Sequence, residues 1–170
     1  MNRAFLIILI AGFAAALPVR AQNPLSAEAQ QAWTRAIGNA VAAAEKMPEE
    51  NYSFKPAPKS QSFGDLVAHT AGSAAGTCAG VSGESNPVKV TGTSSKMDLV
   101  AAMNIAKSTC EKAYGSLTDA NATDMIEGRR GKRSRIGTLY GNTIHIEHEY
   151  AQMAVHMRLK GLVPPSSERR

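Results

Sequence analysis

Four stretches of about 20 residues carry apolar side chains at spacings of three and four, which only helices can gather onto one face. The first spans roughly residues 26 to 47, where Trp33, Ile37, Val41 and Ala44 form the stripe. Ser26 is the expected N-cap, Glu28 sits in the first turn, and Pro48 closes the segment. The second opens at Ser62, whose spacing to Asp65 is that of a capping box with Asp in place of the usual Glu. It runs through Leu66, His69 and Ala75 to about Val81. Ser94 or Ser95 caps the third, which carries Met97, Val100, Met103, Ile105 and Tyr114 and ends near Leu117. The fourth begins near Thr138 and ends at Lys160 and Gly161, with Pro164 and Pro165 beyond. Residues 49 to 61 hold Pro56 and Pro58 and read as an extended connection, and residues 83 to 93 as a loop. Residues 118 to 137 read as irregular. No stretch alternates as a half-buried strand does, and no internal repeat is visible. The expected fold is therefore all-α, a four-helix bundle whose long connections make it less regular than an up-and-down one.

Residues 1 to 21 do not belong to that pattern. Asn2 and Arg3 make a short basic start, residues 4 to 17 are almost wholly apolar, and Val19, Arg20 and Ala21 supply an A-x-A-like end. That is the layout of a secretory signal peptide cleaved before Gln22, so residues 22 to 170 form the expected domain, in the periplasm or outside the cell. The apolar run is short for a bilayer span, no Cys follows it for lipid attachment, and no other segment reads as a stable membrane anchor. The formal net charge of +5 falls to +3 without Arg3 and Arg20. So small an excess does not argue for nucleic acid, and export argues against it. An oxidising compartment permits a disulfide between the two cysteines, Cys78 and Cys110. Spacing alone does not decide that pairing.

The fourth segment carries the chemistry. With His145 at zero and 100° per residue, Glu149 falls at about +40°, Gln152 at about −20° and His156 at about +20°. Ile144 and Val155 flank this polar stripe on one side, Ile146 and Met153 on the other. Glu147, Ala154 and Arg158 take the opposite, solvent-facing pole. The stripe is expected to face the interior or a cleft between helices. A carboxylate and two imidazoles there need partners. His145 and Glu149, one turn apart, can share a divalent ion. His156 lies about 16 Å further along the axis, too far to join them. His69 is the one histidine outside this segment, placed mid-helix among Leu66, Val67, Ala68 and Gly72. The expected site is His69, His145 and Glu149 around one ion, with Gln152 and His156 lining the pocket and His148 on the surface. The bland alternative is a solvated polar face. The basic run Arg129, Arg130, Lys132, Arg133 and Arg135 reads as a solvated loop, or else as an anion site over the bundle mouth.

These residues resemble a known family. The run from Ser62 to His69 is similar to the second helix of DinB-like (DinB/YfiT) proteins. So is the run from His145 to Gln152, together with the closing stretch from Met157 to Ser167. The resemblance covers nearly all of residues 22 to 170. It implies a four-helix bundle holding a divalent metal, commonly nickel or zinc, on three histidines, one from the second helix and two at i, i+4 on the fourth. His69 and His145 match two of these positions. Glu149 stands where the family usually has the third histidine, which changes the charge of the site and its metal preference. Characterised relatives include transferases and isomerases that use low-molecular-weight thiols.

Three functions compete. The first is a metal-dependent enzyme acting on a small molecule by thiol transfer or metal-assisted hydrolysis, with the thiol or substrate as its partner. The second is a non-catalytic periplasmic module that binds a metal or small ligand. The third is a metal-free bundle that packs against a partner, a second copy included, since its Ala-rich faces allow close helix packing.

Overall fold

The computed structural model describes residues 23–128 and 131–168. The expected signal peptide, residues 1 to 21, lies outside the described residues, as do Arg129 and Arg130. The chain forms helix α1 (Pro24–Lys46), a short 3-10 turn (Glu49–Asn51), α2 (Phe63–Val81) and α3 (Lys96–Gly115). A two-strand hairpin follows, β1 (Met125–Ile126) and β2 (Arg133–Ser134), then α4 (Arg135–Leu159) and the single turn α5 (Pro165–Glu168). The four long helices pack in a ring. α1 and α2 each lie against both α3 and α4. Among the described residues no helix is long and apolar enough to cross a membrane.

Helix ends follow local chemistry, with two differences from expectation. Ser62 caps α2 as anticipated: its hydroxyl accepts from the Asp65 amide at 3.1 Å, while the Asp65 carboxylate accepts from the Ser62 amide at 3.0 Å. The Ser62 bonds hold the Asp65 carboxyl below its ordinary value. Ser95 caps α3 through the Asp98 amide. Gly161, at φ +73°, lets the chain turn back at the end of α4, and the Leu162 amide donates to the Met157 carbonyl at 2.9 Å. Ser26, however, is not an N-cap. α1 starts at Pro24, which tolerates the first helical position because it has no amide hydrogen to satisfy. The free amides behind it are capped from a distance. Asp119 accepts from the Ser26 amide at 2.9 Å and from the Leu25 amide at 3.2 Å. That Asp belongs to the segment read as irregular, so the α3–α4 connection fastens the start of α1.

The same segment holds the second difference. It is not wholly irregular: Met125 pairs with Ser134 and Ile126 with Arg133 in the antiparallel hairpin. Two residues per strand leave no alternation to detect. α4 then begins at Arg135, ahead of the expected Thr138, because Ser134 caps it by accepting from the Gly137 amide at 3.2 Å.

The core is lined by the expected stripe of α1 together with Phe63, Leu66, Leu99, Met103, Ile146, Met153 and Met157. Trp33 stacks on Tyr114 with ring centroids 4.6 Å apart. The Tyr114 hydroxyl donates to the Leu139 carbonyl at 2.6 Å, which ties α3 to α4 through the centre of the bundle. Cys78 and Cys110 form a disulfide between α2 and α3, with Cα atoms 5.0 Å apart. A third tie is the loop before α3, which rests on the first turn of α2. A Cβ at Gly92 would fall onto Asp65, 2.8 Å from its Cα, and a Cβ at Gly64 would strike the Gly92 carbonyl.

Gly92→Ala is therefore expected to cost about 1–3 kcal/mol by forcing this loop off the capping box. Gly38→Ala, in α1 where nothing lies within 4 Å of the added methyl, is expected to stabilise by about 0.5–1 kcal/mol. Urea denaturation of the two variants beside the parent chain measures both effects.

Candidate metal centre

Burial along α4 places the polar stripe differently from the helical-wheel reading. The buried arc contains Leu139, Asn142, Ile146, Glu149, Tyr150, Met153, Ala154 and Met157. Its middle therefore lies near Ile146 and Met153, about 100° from His145. Ala154, expected in solvent, is buried, whereas Ile144 and Val155, expected to flank an inward stripe, are exposed. The stripe thus runs along one edge of the packed face, where α4 meets α2. Glu149 points inward from that edge and His145 stays half open to solvent.

His69 meets this edge from α2. It is not enclosed by the apolar residues around it in sequence. Its side chain is 49% exposed, because position 69 falls on the outer rim of α2 while Leu66, Val67 and Thr70 take the core. The Nε2 atoms of His69 and His145 are 3.1 Å apart. Glu149 Oε1 lies 3.9 Å from His69 Nε2 and 3.8 Å from His145 Nδ1. One donor atom from each of the three residues lies within 4.8 Å of the others, so the three expected ligands form one cluster.

The donor set suits a divalent cation. Two imidazole nitrogens facing each other this closely need a proton or a cation between their lone pairs. Donors held at about 2.0–2.1 Å from one ion stand roughly 3.0–3.5 Å apart, which the two nitrogens already satisfy. The carboxylate oxygen stands further off, 3.9 Å from His69 Nε2, and on the His145 side it faces Nδ1 rather than the Nε2 that meets His69, so closing the three donors on one ion requires the Glu149 or His145 side chain to turn. Two neutral imidazoles and one carboxylate leave a dipositive ion one net positive charge and open positions on the exposed histidine side. On the buried side the Gln152 amide donates to Glu149 Oε2 at 3.2 Å. That bond occupies the oxygen turned away from the histidines and leaves Oε1 to them.

Burial is the largest influence on the His145 imidazole and holds it below the ordinary histidine value. Glu149 opposes that shift, and His69 and His148 add to it. A depressed histidine stays neutral, and able to ligate, further into acid.

The remaining expected site residues are not all at this cluster. Gln152 is in place as the partner of Glu149. His156 does not line the pocket. It is buried, with Nδ1 2.9 Å from the Gln152 carbonyl and Nε2 3.1 Å from the Gln61 carbonyl. Its ring lies edge-on to Phe54, 5.9 Å away. His156 therefore clasps the α1–α2 connection, which is a series of turns rather than the expected extended segment, onto α4 just before the Ser62 cap. Its place on the wheel beside His145 hid this role, because the partner carbonyl comes from a loop with no distinguishing residue. His148 is exposed, as expected. In the basic segment Lys132 pairs with Glu127 at 3.5 Å, and Arg133 donates to the Gly137 carbonyl at 3.3 Å.

Sequence reading also missed a polar group in the bundle centre. Asn142 Nδ2 lies 3.5 Å from Cys78 Sγ, 3.7 Å from Cys110 Sγ and 3.4 Å from the Tyr114 hydroxyl. It joins the disulfide to α4, one turn before His145. A single Asn in a helix carries no sign of such a partner.

A helical bundle with a His, His and carboxylate cluster across α2 and α4 defines the class of this molecule. The sequence matches the DinB superfamily over residues 32–153, and the chain belongs to that superfamily. It is also similar to a crystal structure of a DinB-like protein from Bacillus cereus ATCC 10987, at 20% identity and a TM-score of 0.65. That match covers 81% of this chain and 93% of the other, and at such identity it shows the fold. No curated protein matches the chain.

The depressed His145 makes the metal-free chain acid-sensitive. An unfolded histidine takes up its proton first as pH falls through 6.5, so stability declines from there toward the lower folded value. His145→Gln is expected to flatten this part of the curve. Unfolding free energies of both chains, measured with chelator above and below pH 6.5, provide the check.

Proposed function

We propose that this chain is an exported, divalent-metal-dependent enzyme acting on a small molecule, by thiol transfer or metal-assisted hydrolysis. The observation that carries the reading is the convergence of His69, His145 and Glu149 on the rim between α2 and α4. The histidine side is open to solvent, so a small ligand can reach the cluster without any movement of the core. Nickel and zinc both accept such a donor set. A bound ion would supply Lewis acidity and lower the pKa of a thiol or water held beside it.

The chain's own residues divide the remaining work. His69 and His145 bind the ion from two helices. Glu149 adds the anionic ligand and sets the charge, and Gln152 holds its carboxylate in line. Both cysteines are committed to the disulfide, so in thiol transfer the reacting thiol comes from a second small molecule. Export of residues 22 to 170 rests on the character of residues 1 to 21 and agrees with a disulfide in the core.

The second reading is a periplasmic module that binds metal or ligand without turnover. It is favoured by the absence, among the described residues, of an unpaired cysteine, and by the use of Glu149 as a ligand rather than a base.

Metal content by mass spectrometry, on untagged protein, tests the first step. Near-stoichiometric nickel or zinc is expected in the parent chain and less than a tenth of that in His145→Ala. Equal metal in both, or none in either after reconstitution, would contradict the site. Catalytic screening of the loaded protein with small thiols and hydrolysable esters then separates the two readings.

A further inference from the structure

The outer face of α4 carries apolar side chains that the fold leaves in water. Tyr140 is 63% exposed, Ile144 51%, Val155 50% and Leu159 58%. With His148 and Ala151, also exposed, they form one stripe along the helix. Its spacing is 4-4-3-4-4, which reads the same from either end. Tyr140 and Leu159, Ile144 and Val155, and His148 and Ala151 lie symmetrically about the midpoint between Glu149 and Tyr150.

We infer that this face is the interface of a homodimer in which α4 packs antiparallel on α4 of a second copy. A two-fold axis at the stripe's midpoint sets each Ile144 against the partner subunit's Val155 and each Tyr140 against the partner subunit's Leu159. This is the self-complementarity that an isologous contact requires. Residues 11 apart (Tyr140 and Ala151, Ile144 and Val155, His148 and Leu159) are almost eclipsed along the axis, so the seam runs nearly straight.

Area agrees with this occupant. The exposed parts of the four large side chains amount to roughly 400 Å² per copy, within the roughly 300–600 Å² of the largest, often functional, patch on a monomer. A standard interface covers about 800 Å² per partner, with an apolar centre inside a polar rim. The stripe supplies the centre, and exposed Glu147 and Arg158 beside it supply the rim. The other exposed large apolar residues, such as Leu25, Met97 and Met125, sit on different elements and repeat no such pattern. The stripe borders the metal cluster on the His148 side, so a second copy here would leave the two clusters opening along one shared edge.

Analytical ultracentrifugation of the purified chain, with single and paired charge substitutions, tests the inference. The parent chain is expected to be a dimer at micromolar concentration. Ile144→Lys alone and Val155→Glu alone are each expected to be monomeric with unchanged circular dichroism, since both positions are solvent-facing. The combined variant is expected to regain the dimer, because Lys at one position then faces Glu on the other copy. A parent chain that stays monomeric up to about 100 μM overturns the inference. So does a dimer that survives either single substitution, which places the interface elsewhere. A monomer that instead sediments with phosphatidylcholine vesicles, and loses that binding in Ile144→Lys, assigns the stripe to a lipid surface and equally overturns it.

Discussion

A carboxylate withdrawn from water is the constraint around which this molecule is arranged. Glu149 is almost fully buried at the seam of α2 and α4. Among the described residues the ionisable groups beside it are two histidines, and its hydrogen bond comes from Gln152. Burying an anion is costly unless a cation or several donors meet it. Neutral imidazoles do not supply that compensation, whereas a divalent ion between them does. The cluster that can hold a metal is thus also the place where the fold gains most from one.

Holding three donors at this spacing requires α2 and α4 to keep a fixed register, and the structure fixes it with several unrelated ties. The disulfide locks α2 to α3, and Asn142 touches both of its sulfurs from α4. Tyr114 binds the α4 backbone at Leu139. At the other end His156 grips the Gln61 carbonyl, immediately before the Ser62 cap that starts α2. His69 and His145 lie between these two fastenings. Side chains on packed helices with locked neighbours hold a ligand geometry better than side chains on loops do.

Much of this was legible in the sequence, for identifiable reasons. Four helices follow from apolar spacing, and the Ser62–Asp65 box and Gly161 mark ends that depend only on neighbouring residues. The site was legible because His145 and Glu149 share a helix edge and His69 was the one histidine left to complete it. What was hidden depends on distant partners. Asp119 caps α1 across the molecule, so Ser26 looked like a cap and was not. Two-residue strands leave no alternation, and His156 finds its carbonyl on a loop. The wheel placed the polar stripe correctly relative to itself but not relative to the core. The apolar side chains that flank it on the outer side point to solvent, which a wheel reads as burial.

X-ray absorption at the metal edge of the loaded protein tests the central claim most directly. The account predicts two imidazole nitrogens and one carboxylate oxygen in the first coordination sphere. In Glu149→Gln the oxygen component should weaken while both imidazole contributions remain. A sphere without imidazole scattering, or one unchanged by loss of the Glu149 charge, would contradict the arrangement of His69, His145 and Glu149 as one site.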